Sequence, residues 1–256
     1  MLKELLTKRL TGTLEIDNPD LVELRKSIIA KNRFLKEIYL EWYQMIIHSI
    51  PDINGGVVEL GSGAGFLRNY IPDLISSDIV YCSEISLVLD GQRLPFSDHS
   101  LSAIVMVDVF HHLPNPKLFL SEATRCIKIG GSIVMIEPWV TAWSRFIFGY
   151  LHHEPFFPES REWGFVARGP LSGANSAQAW IVFKRDKEKF LEWYPQWQLV
   201  KIVPFMPFRY LFSGGMSYKP LLPNRSFVCL SYLESLLNGF NHHLGLFAHI
   251  TLRKMS

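Results

Sequence analysis

Val57-Val58-Glu59-Leu60-Gly61-Ser62-Gly63-Ala64-Gly65-Phe66 decides how this chain is read. An apolar β-branched pair runs into an acid, and glycines then recur at alternate positions. Buried parallel strands read as short β-branched runs, so 57–60 is expected to be the first strand of an α/β sheet. The glycines let the backbone turn sharply and approach a ligand with no Cβ in the way. Phe66 to Tyr70 reads as the start of a helix whose free N–H groups would face that ligand. A dinucleotide loop, G-x-G-x-x-G/A, needs a small third residue for close helix–strand packing. Counted from Gly61 and Gly63 that residue is Phe66, which is large.

Gly65 instead completes E-x-G-x-G-x-G, which resembles the first motif of class I S-adenosylmethionine-dependent methyltransferases. That cofactor carries no phosphate, and Glu59 at the strand end could face its ammonium. Downstream, Ile75-Ser76-Ser77-Asp78-Ile79 is a short strand ending in an acid, placed to accept ribose hydroxyls as in the related Rossmann geometry. Asp90-Gly91-Gln92-Arg93-Leu94-Pro95-Phe96 resembles the family's D-A-x-x-L-P-F stretch. The resemblance implies that Asp90 faces the adenine amino group and the backbone of Gly91 reads the ring edge.

A fourth strand over 100–107 leads into Asp108-Val109-Phe110-His111-His112-Leu113, followed by a helix over Phe119 to Ile129. Gly130-Gly131 is expected to cap that helix, and Ser132 to Glu137 forms a fifth strand. These motifs, in this order across about 57–138, are similar to the small-molecule methyltransferase group often called type 11. The expected fold is α/β and Rossmann-like: a mostly parallel seven-stranded sheet with its last strand antiparallel, helices on both faces and aromatic-rich insertions. S-adenosylmethionine is the implied cofactor, with S-adenosylhomocysteine as product. Glu59, Gly61, Ser62, Gly63, Gly65, Asp78, Ile79, Asp90, Gly91 and Asp108 are the implied contacts. One departure is visible. Asp90 follows Asp78 by only twelve positions, and a parallel crossover normally needs a dozen or more residues. The helix there is expected to shrink to a turn around Tyr81 to Glu84, leaving either Ile79 or Tyr81 to cover the ring.

With 256 residues the chain is long enough for one α/β domain plus insertions. Its expected organisation is N-terminal helices to residue 55, a cofactor core over 56–138, and substrate-side insertions at 139–198 and 206–243. A net charge of +2 gives no bulk electrostatic argument for nucleic acid. Cys82, Cys126 and Cys229, an odd set without a C-x-x-C, suggest a reducing compartment. Met1 to Leu10 mixes charges with leucines, unlike a signal peptide, and no run of 18 apolar residues occurs, so a cytoplasmic protein without integral membrane contact is expected. Leu21 to Ile50 reads as a helix ended by Pro51 and Asn54-Gly55-Gly56, with Tyr39, Trp42 and Tyr43 either lining the site or packing on the sheet. Leu199 to Phe205 and Leu246 to Leu252 are the expected sixth and seventh strands.

Of 34 aromatic residues, 23 lie between Trp139 and Phe240, so the insertions must bury much of their own surface. Three readings stay open: a lid over a largely apolar or aromatic-lined acceptor cavity, an interface in a homodimer, or added core; the position of the insertions, where substrate-recognition elements sit in similar enzymes, favours the lid. Oxygen methylation needs a base, and histidine titrates near working pH. His111 and His112 follow the fourth strand at the edge where ligands bind in open α/β sheets. In similar enzymes the first of such a pair points toward the transferred methyl, which favours His111. His152-His153-Glu154 is a second cluster, with His153 a candidate base; adjacent histidines lack the i, i+4 spacing of a helical metal site, so no metal is expected. No N-P-P-Y-like segment and no proline-cysteine pair follows the fourth strand, which disfavours base, amide and cytosine chemistry. With those chemistries disfavoured, a small molecule or sugar-bearing metabolite is the expected acceptor; His152 to Pro155 and Gly173 to Asn175 look similar to segments of uncharacterised bacterial methyltransferases associated with surface-polysaccharide pathways, a resemblance that names no substrate. Two other functions fit less well: a nicotinamide-dependent oxidoreductase or epimerase, which Phe66 opposes, and a catalytically silent methyltransferase-like partner.

Overall fold

The computed structural model describes residues 20–82, 84–152, 154–167, 169 and 173–256. The Met1–Leu10 stretch and the candidate base His153 lie outside the described residues. Seven strands form one sheet in the order β3-β2-β1-β4-β5-β7-β6. These are β1 (Gly56–Leu60), β2 (Ile75–Asp78), β3 (Leu87–Val88), β4 (Leu101–Val107), β5 (Ile127–Pro138), β6 (Trp197–Phe205) and β7 (Phe247–Lys254). β1 to β5 pair in parallel, and β7 runs antiparallel between β5 and β6, as expected of the last strand.

Alternation along the central strands splits the core into two layers. Ile104, Met106, Ile133 and Met135 face one, with Phe119 and Leu120 of α3 (Pro116–Cys126) and the fully buried Ile181, Phe183 and Phe190. Ala103, Val105, Val134 and Ile136 face the other, against Phe34, Ile38, Trp42 and Ile46. The sheet is therefore covered on both sides, as continuous apolar central strands require.

Several boundaries differ from expectation. The single N-terminal helix is two, α1 (Asp20–Lys31) and α2 (Arg33–Ile47). Asn32 breaks it by leaving the helical region and accepting from the Leu35 N–H at 3.2 Å, the cap role that suits its side chain. The helix expected from Phe66 is only a 3₁₀ turn, Leu67–Asn69, because Pro72 disfavours helical backbone at Ile71. The helix expected over Phe119 to Ile129 starts and ends three residues earlier. Asn115 caps it and Pro116 occupies its first turn, while Ile127 already pairs in β5. Gly130 has the left-handed φ of 81°, yet it sits at an irregularity inside β5 rather than at a helix end. Between β2 and β3 no helix forms among the described residues.

The first insertion divides. α4 (Ala142–Tyr150), His152 and Glu154 lie near the sheet's carboxyl edge, whereas α5 (Gln178–Trp180), its π-helical continuation Ile181–Arg185 and α6 (Lys187–Trp193) pack under the sheet. The second carries α7 (Arg209–Ser213), α8 (Ser226–Leu236) and α9 (Asn241–Leu244). Much of the aromatic excess is thus core: Trp139, Trp163, Phe183, Phe190 and Trp197 are all buried. No helix among the described residues is long and apolar enough to cross a membrane.

Candidate active site

A cavity of about 670 Å³ opens at the carboxyl ends of β1, β2 and β4, large enough for a cofactor with a small partner. One end is made by the glycine loop. The Ser62 N–H donates to Ser77 O at 2.8 Å, and the Gly65 N–H folds back onto Ser62 O at 2.6 Å. Gly61 has a φ of 65°, and a Cβ there would stand 2.4 Å from Val109 Cγ2. A Cβ on Gly65 would meet the Ser62 carbonyl oxygen at 2.7 Å. Two more of the loop's N–H groups are spent within the protein: Gly63 N–H on Asp78 Oδ2 at 2.9 Å, Phe66 N–H on Tyr43 Oη at 3.0 Å. What the loop offers a ligand is close approach and carboxylates.

Those carboxylates are buried. Glu59 accepts from the Ser62 hydroxyl at 2.7 Å, and burial pushes it up to about 7, with Ser62 opposing and Asp78 adding to the rise. Asp78 is also raised by burial, against the hydrogen bonds it accepts from Val80 and Gly63. Both line the cavity, as do Ile79, Asp90 and Gly91, while Tyr81 is 68% exposed and does not. Asp90 additionally accepts from the Gln92 N–H at 2.9 Å, which shapes the turn. Tyr39 and Tyr43 of α2 close this end; Trp42 instead packs against Tyr210 and Phe247 in the core.

The other end is ionisable. Asp108 lines it in left-handed backbone, φ 61°, a strained setting for a non-glycine residue. Burial raises its carboxyl to about 7; the charge of His111 opposes this and those of Glu154 and Glu137 reinforce it. His111 and His112 occupy a 3₁₀ turn, Phe110–His112, with rings 4.2 Å apart. His111 is completely buried and absent from the cavity wall. Its Nδ1 lies 2.7 Å from Glu137 Oε2 and its Nε2 3.3 Å from Glu154 Oε2. Burial works against its charge, but Glu137 and Glu154 outweigh that and carry it well above the ordinary range. His112 does face the cavity. Its Nδ1 sits 3.1 Å from Gly173 O, so Nδ1 carries the proton and Nε2 is left toward Glu154 Oε1 at 3.7 Å. Burial and the neighbouring His111 lower it to about 4. Glu154 is held well below its ordinary value by the three histidines His111, His112 and His152, although burial alone would raise it.

Two acids matter more than the sequence reading gave them credit for. Glu137, fully buried at the end of β5, accepts from the Val109, Phe110 and His111 N–H groups and so fixes the turn after β4. An acid closing a buried strand just before proline was the available signal, since a buried carboxylate must find donors. Glu154 was visible only as a neighbour of histidines, with nothing to show it meeting His111 and His112. The roof combines His152, Glu154 and Pro155 from the first insertion with Tyr210, Met216 and Tyr218 from the second. Tyr218 is pinned through its hydroxyl to Leu151 O at 2.9 Å.

Residues 58–135 match the family model described as a methyltransferase domain. No curated protein matches the chain. Among solved structures, the fold is similar to an S-adenosylmethionine-dependent methyltransferase from Thermotoga maritima, at 15% identity and a TM-score of 0.55, covering 92% of this chain and 97% of that one. A geranyl diphosphate C-methyltransferase from Streptomyces coelicolor, solved with Mg²⁺, geranyl diphosphate and S-adenosylhomocysteine, aligns at 12% identity and a TM-score of 0.49, over 98% of this chain and 89% of that one. The match falls on the segment that builds the glycine loop, β2, β4 and the turn after it, which sets aside the nicotinamide alternative. At 58–135 the chain therefore carries a methyltransferase domain, within a fold similar to that of S-adenosylmethionine-dependent methyltransferases.

Proposed function

We propose that this enzyme methylates an oxygen of a small-molecule or sugar-bearing acceptor held between the cofactor and the His112–Glu154 wall. One observation carries the reading: a single cavity runs from Glu59, Asp78 and Asp90 to His112 and Glu154 under a roof supplied by both insertions. In this reading the glycine loop would hold the cofactor, Glu59 taking its ammonium and Asp78 its ribose hydroxyls, with Ile79 and Gly91 available to the base. Asp108 stands beside the methionine part.

Methyl transfer is an in-line displacement in which the sulfonium supplies the electrophile. The protein holds the acceptor in line and removes a hydroxyl proton. His112 suits the second task better than His111, because its ring lines the cavity and its Nε2 carries no proton, while His111 is fully buried between Glu137 and Glu154. His111 then acts as a positioning residue, tying Glu154 to Glu137 behind the wall. A polar wall of this kind fits a hydroxylated acceptor rather than the mostly apolar one that an aromatic lid would suggest.

The test is a screen of hydroxylated acceptors, reading S-adenosylhomocysteine release and locating the new methyl by NMR. Methyl on oxygen is expected, and His112→Ala should lower turnover by roughly 10²–10⁴-fold with cofactor affinity unchanged. Methyl on carbon or nitrogen would overturn the oxygen assignment alone. Tight cofactor binding with no turnover on any acceptor would favour the catalytically silent partner.

A further inference from the structure

We propose that His111, His112 and Glu154 form a binding site for a divalent first-row transition ion of the zinc type, open toward the acceptor chamber. One potential ligand atom from each residue lies within 4.8 Å of the other two. Each imidazole is fixed from behind: His111 Nδ1 by the Glu137 carboxylate at 2.7 Å, His112 Nδ1 by the Gly173 carbonyl at 3.1 Å. Histidines that bind metals are held in this way, with one ring N–H given to a carboxylate or carbonyl and the other nitrogen's lone pair left for the ion. Both remaining Nε2 atoms point to the same carboxylate, at 3.3 and 3.7 Å.

The first of these spacings also suits two ligands of one ion. Two ligands on a tetrahedral ion with bonds of about 2.0–2.1 Å stand roughly 3.3–3.4 Å apart. His111 Nε2 is buried and meets Glu154 Oε2 at 3.3 Å as an ion pair without a well-directed hydrogen bond; without an ion the two carboxylates keep a proton on it, and an ion would take that proton's place. It would also hold Glu154 in place. The adjacent histidines converge because they sit on a 3₁₀ turn, where their rings lie side by side, and not on a regular helix or strand.

The donor set selects the ion. Two imidazoles with one carboxylate suit zinc, cobalt, nickel or iron and not magnesium, which takes oxygen ligands. Three protein ligands with a position left over is the arrangement of sites that bind a further oxygen ligand. His112 and Glu154 line the cavity, so that position faces the acceptor. The ion itself does not depend on the acceptor proposed above, but it takes up the His112 Nε2 lone pair, so with the ion bound His112 is a ligand and base catalysis by His112 belongs to the ion-free chain.

The full chain, stripped with a chelator, would be titrated with Co²⁺ alone and followed by visible absorption, with S-adenosylhomocysteine binding measured separately by calorimetry. One equivalent of Co²⁺ is expected, with the absorption of a low-coordinate nitrogen–oxygen site, displaced by Zn²⁺ and untouched by Mg²⁺. His112→Ala and Glu154→Gln should abolish the signal while still binding S-adenosylhomocysteine. Glu137→Gln should weaken Co²⁺ by about 10–100-fold. Wild-type protein that binds S-adenosylhomocysteine but gives no Co²⁺ spectrum overturns the metal site and leaves the cofactor reading intact. Undiminished Co²⁺ binding in both His112→Ala and Glu154→Gln overturns it equally.

Discussion

The two ends of the cavity are built on opposite plans. At the cofactor end, main-chain groups set the shape: Ser62 onto Ser77, Gly65 onto Ser62, Gly63 onto Asp78. At the acceptor end, side chains from separate segments meet: His111 and His112 after β4, Glu137 at the end of β5, Glu154 from the first insertion and Tyr218 from the second. A wall of turns and glycines fails when a Cβ is added. A wall of charged side chains fails when a partner is removed, because the charge left behind is buried. In the proposed reading the first plan fixes where the cofactor lies, and the second can change with the insertions while the loop stays as it is.

The sharpest way to break this contrast is at Gly63. Its φ of 42° is a conformation that β-branched residues rarely adopt, and a Cβ would also enter the space beside Asp78 Oδ2 at 3.4 Å. Gly63→Val should remove measurable S-adenosylhomocysteine binding in calorimetry while circular dichroism stays unchanged. Undiminished affinity would mean that the cofactor does not lie on this loop.

A smaller loss is expected at Asp78. Hydrogen bonds to a charged acceptor contribute about 1.5–3 kcal/mol each, so Asp78→Ala should weaken the cofactor by about tenfold or more. Glu84, exposed and near Lys26, is the control and should change nothing when cut to alanine. The reverse pattern would move the ribose site several residues along the chain.

Glu59 supplies a pH test. Its carboxyl, raised to about 7, holds a proton in the folded chain that the unfolded chain releases near the ordinary glutamate value. The folded state thus binds more protons between about 4.3 and 7, and stability falls as pH rises through that window. An ammonium docked beside it favours the carboxylate, so cofactor binding should expel a proton and weaken by up to about tenfold per unit below pH 7. Glu59→Gln should flatten that dependence and lower affinity at pH 7.5. It should also raise stability there by up to about 3 kcal/mol, since the buried charge is gone. A pH-independent wild-type affinity would remove Glu59 from the ammonium site.

The shape of the glycine-loop end was legible because its determinants are contiguous. A β-branched run, an acid at its end and glycines at fixed offsets specify a turn whatever surrounds it, and Asp78 and Asp90 repeat the logic at the next strand ends. The missing helix after the loop was legible too, had Pro72 been weighed against Phe66 to Tyr70. His111 was not. Which way a side chain points from a 3₁₀ turn depends on what meets it, and here Glu137 and Glu154 arrive from positions far along the chain. The aromatic excess was ambiguous for the same reason: Phe183 and Tyr218 belong to the same compositional signal, yet one is core and the other is roof.

The smallest change in cofactor affinity is expected from Glu234, and it isolates the roof. Glu234 is 4% exposed on α8 and accepts from the Phe208 and Arg209 N–H groups at 2.8 Å each. Its carboxylate also pairs with the Arg209 side chain, which reaches Glu41 of α2 at 2.6 Å. This chain of bonds ties α8 to α7, and α7 carries Tyr210 over the cavity. Glu234→Ala leaves a buried arginine short of a partner, a loss of about 3–5 kcal/mol. For a chain of this size that is roughly 6–20 °C in melting temperature. The glycine loop touches none of these groups, so S-adenosylhomocysteine affinity below the melting range should stay as in the wild type, while KM for the acceptor rises. If the cofactor is lost along with the roof, the two ends are not independent, and the loop's shape is held from above as well as by its own backbone.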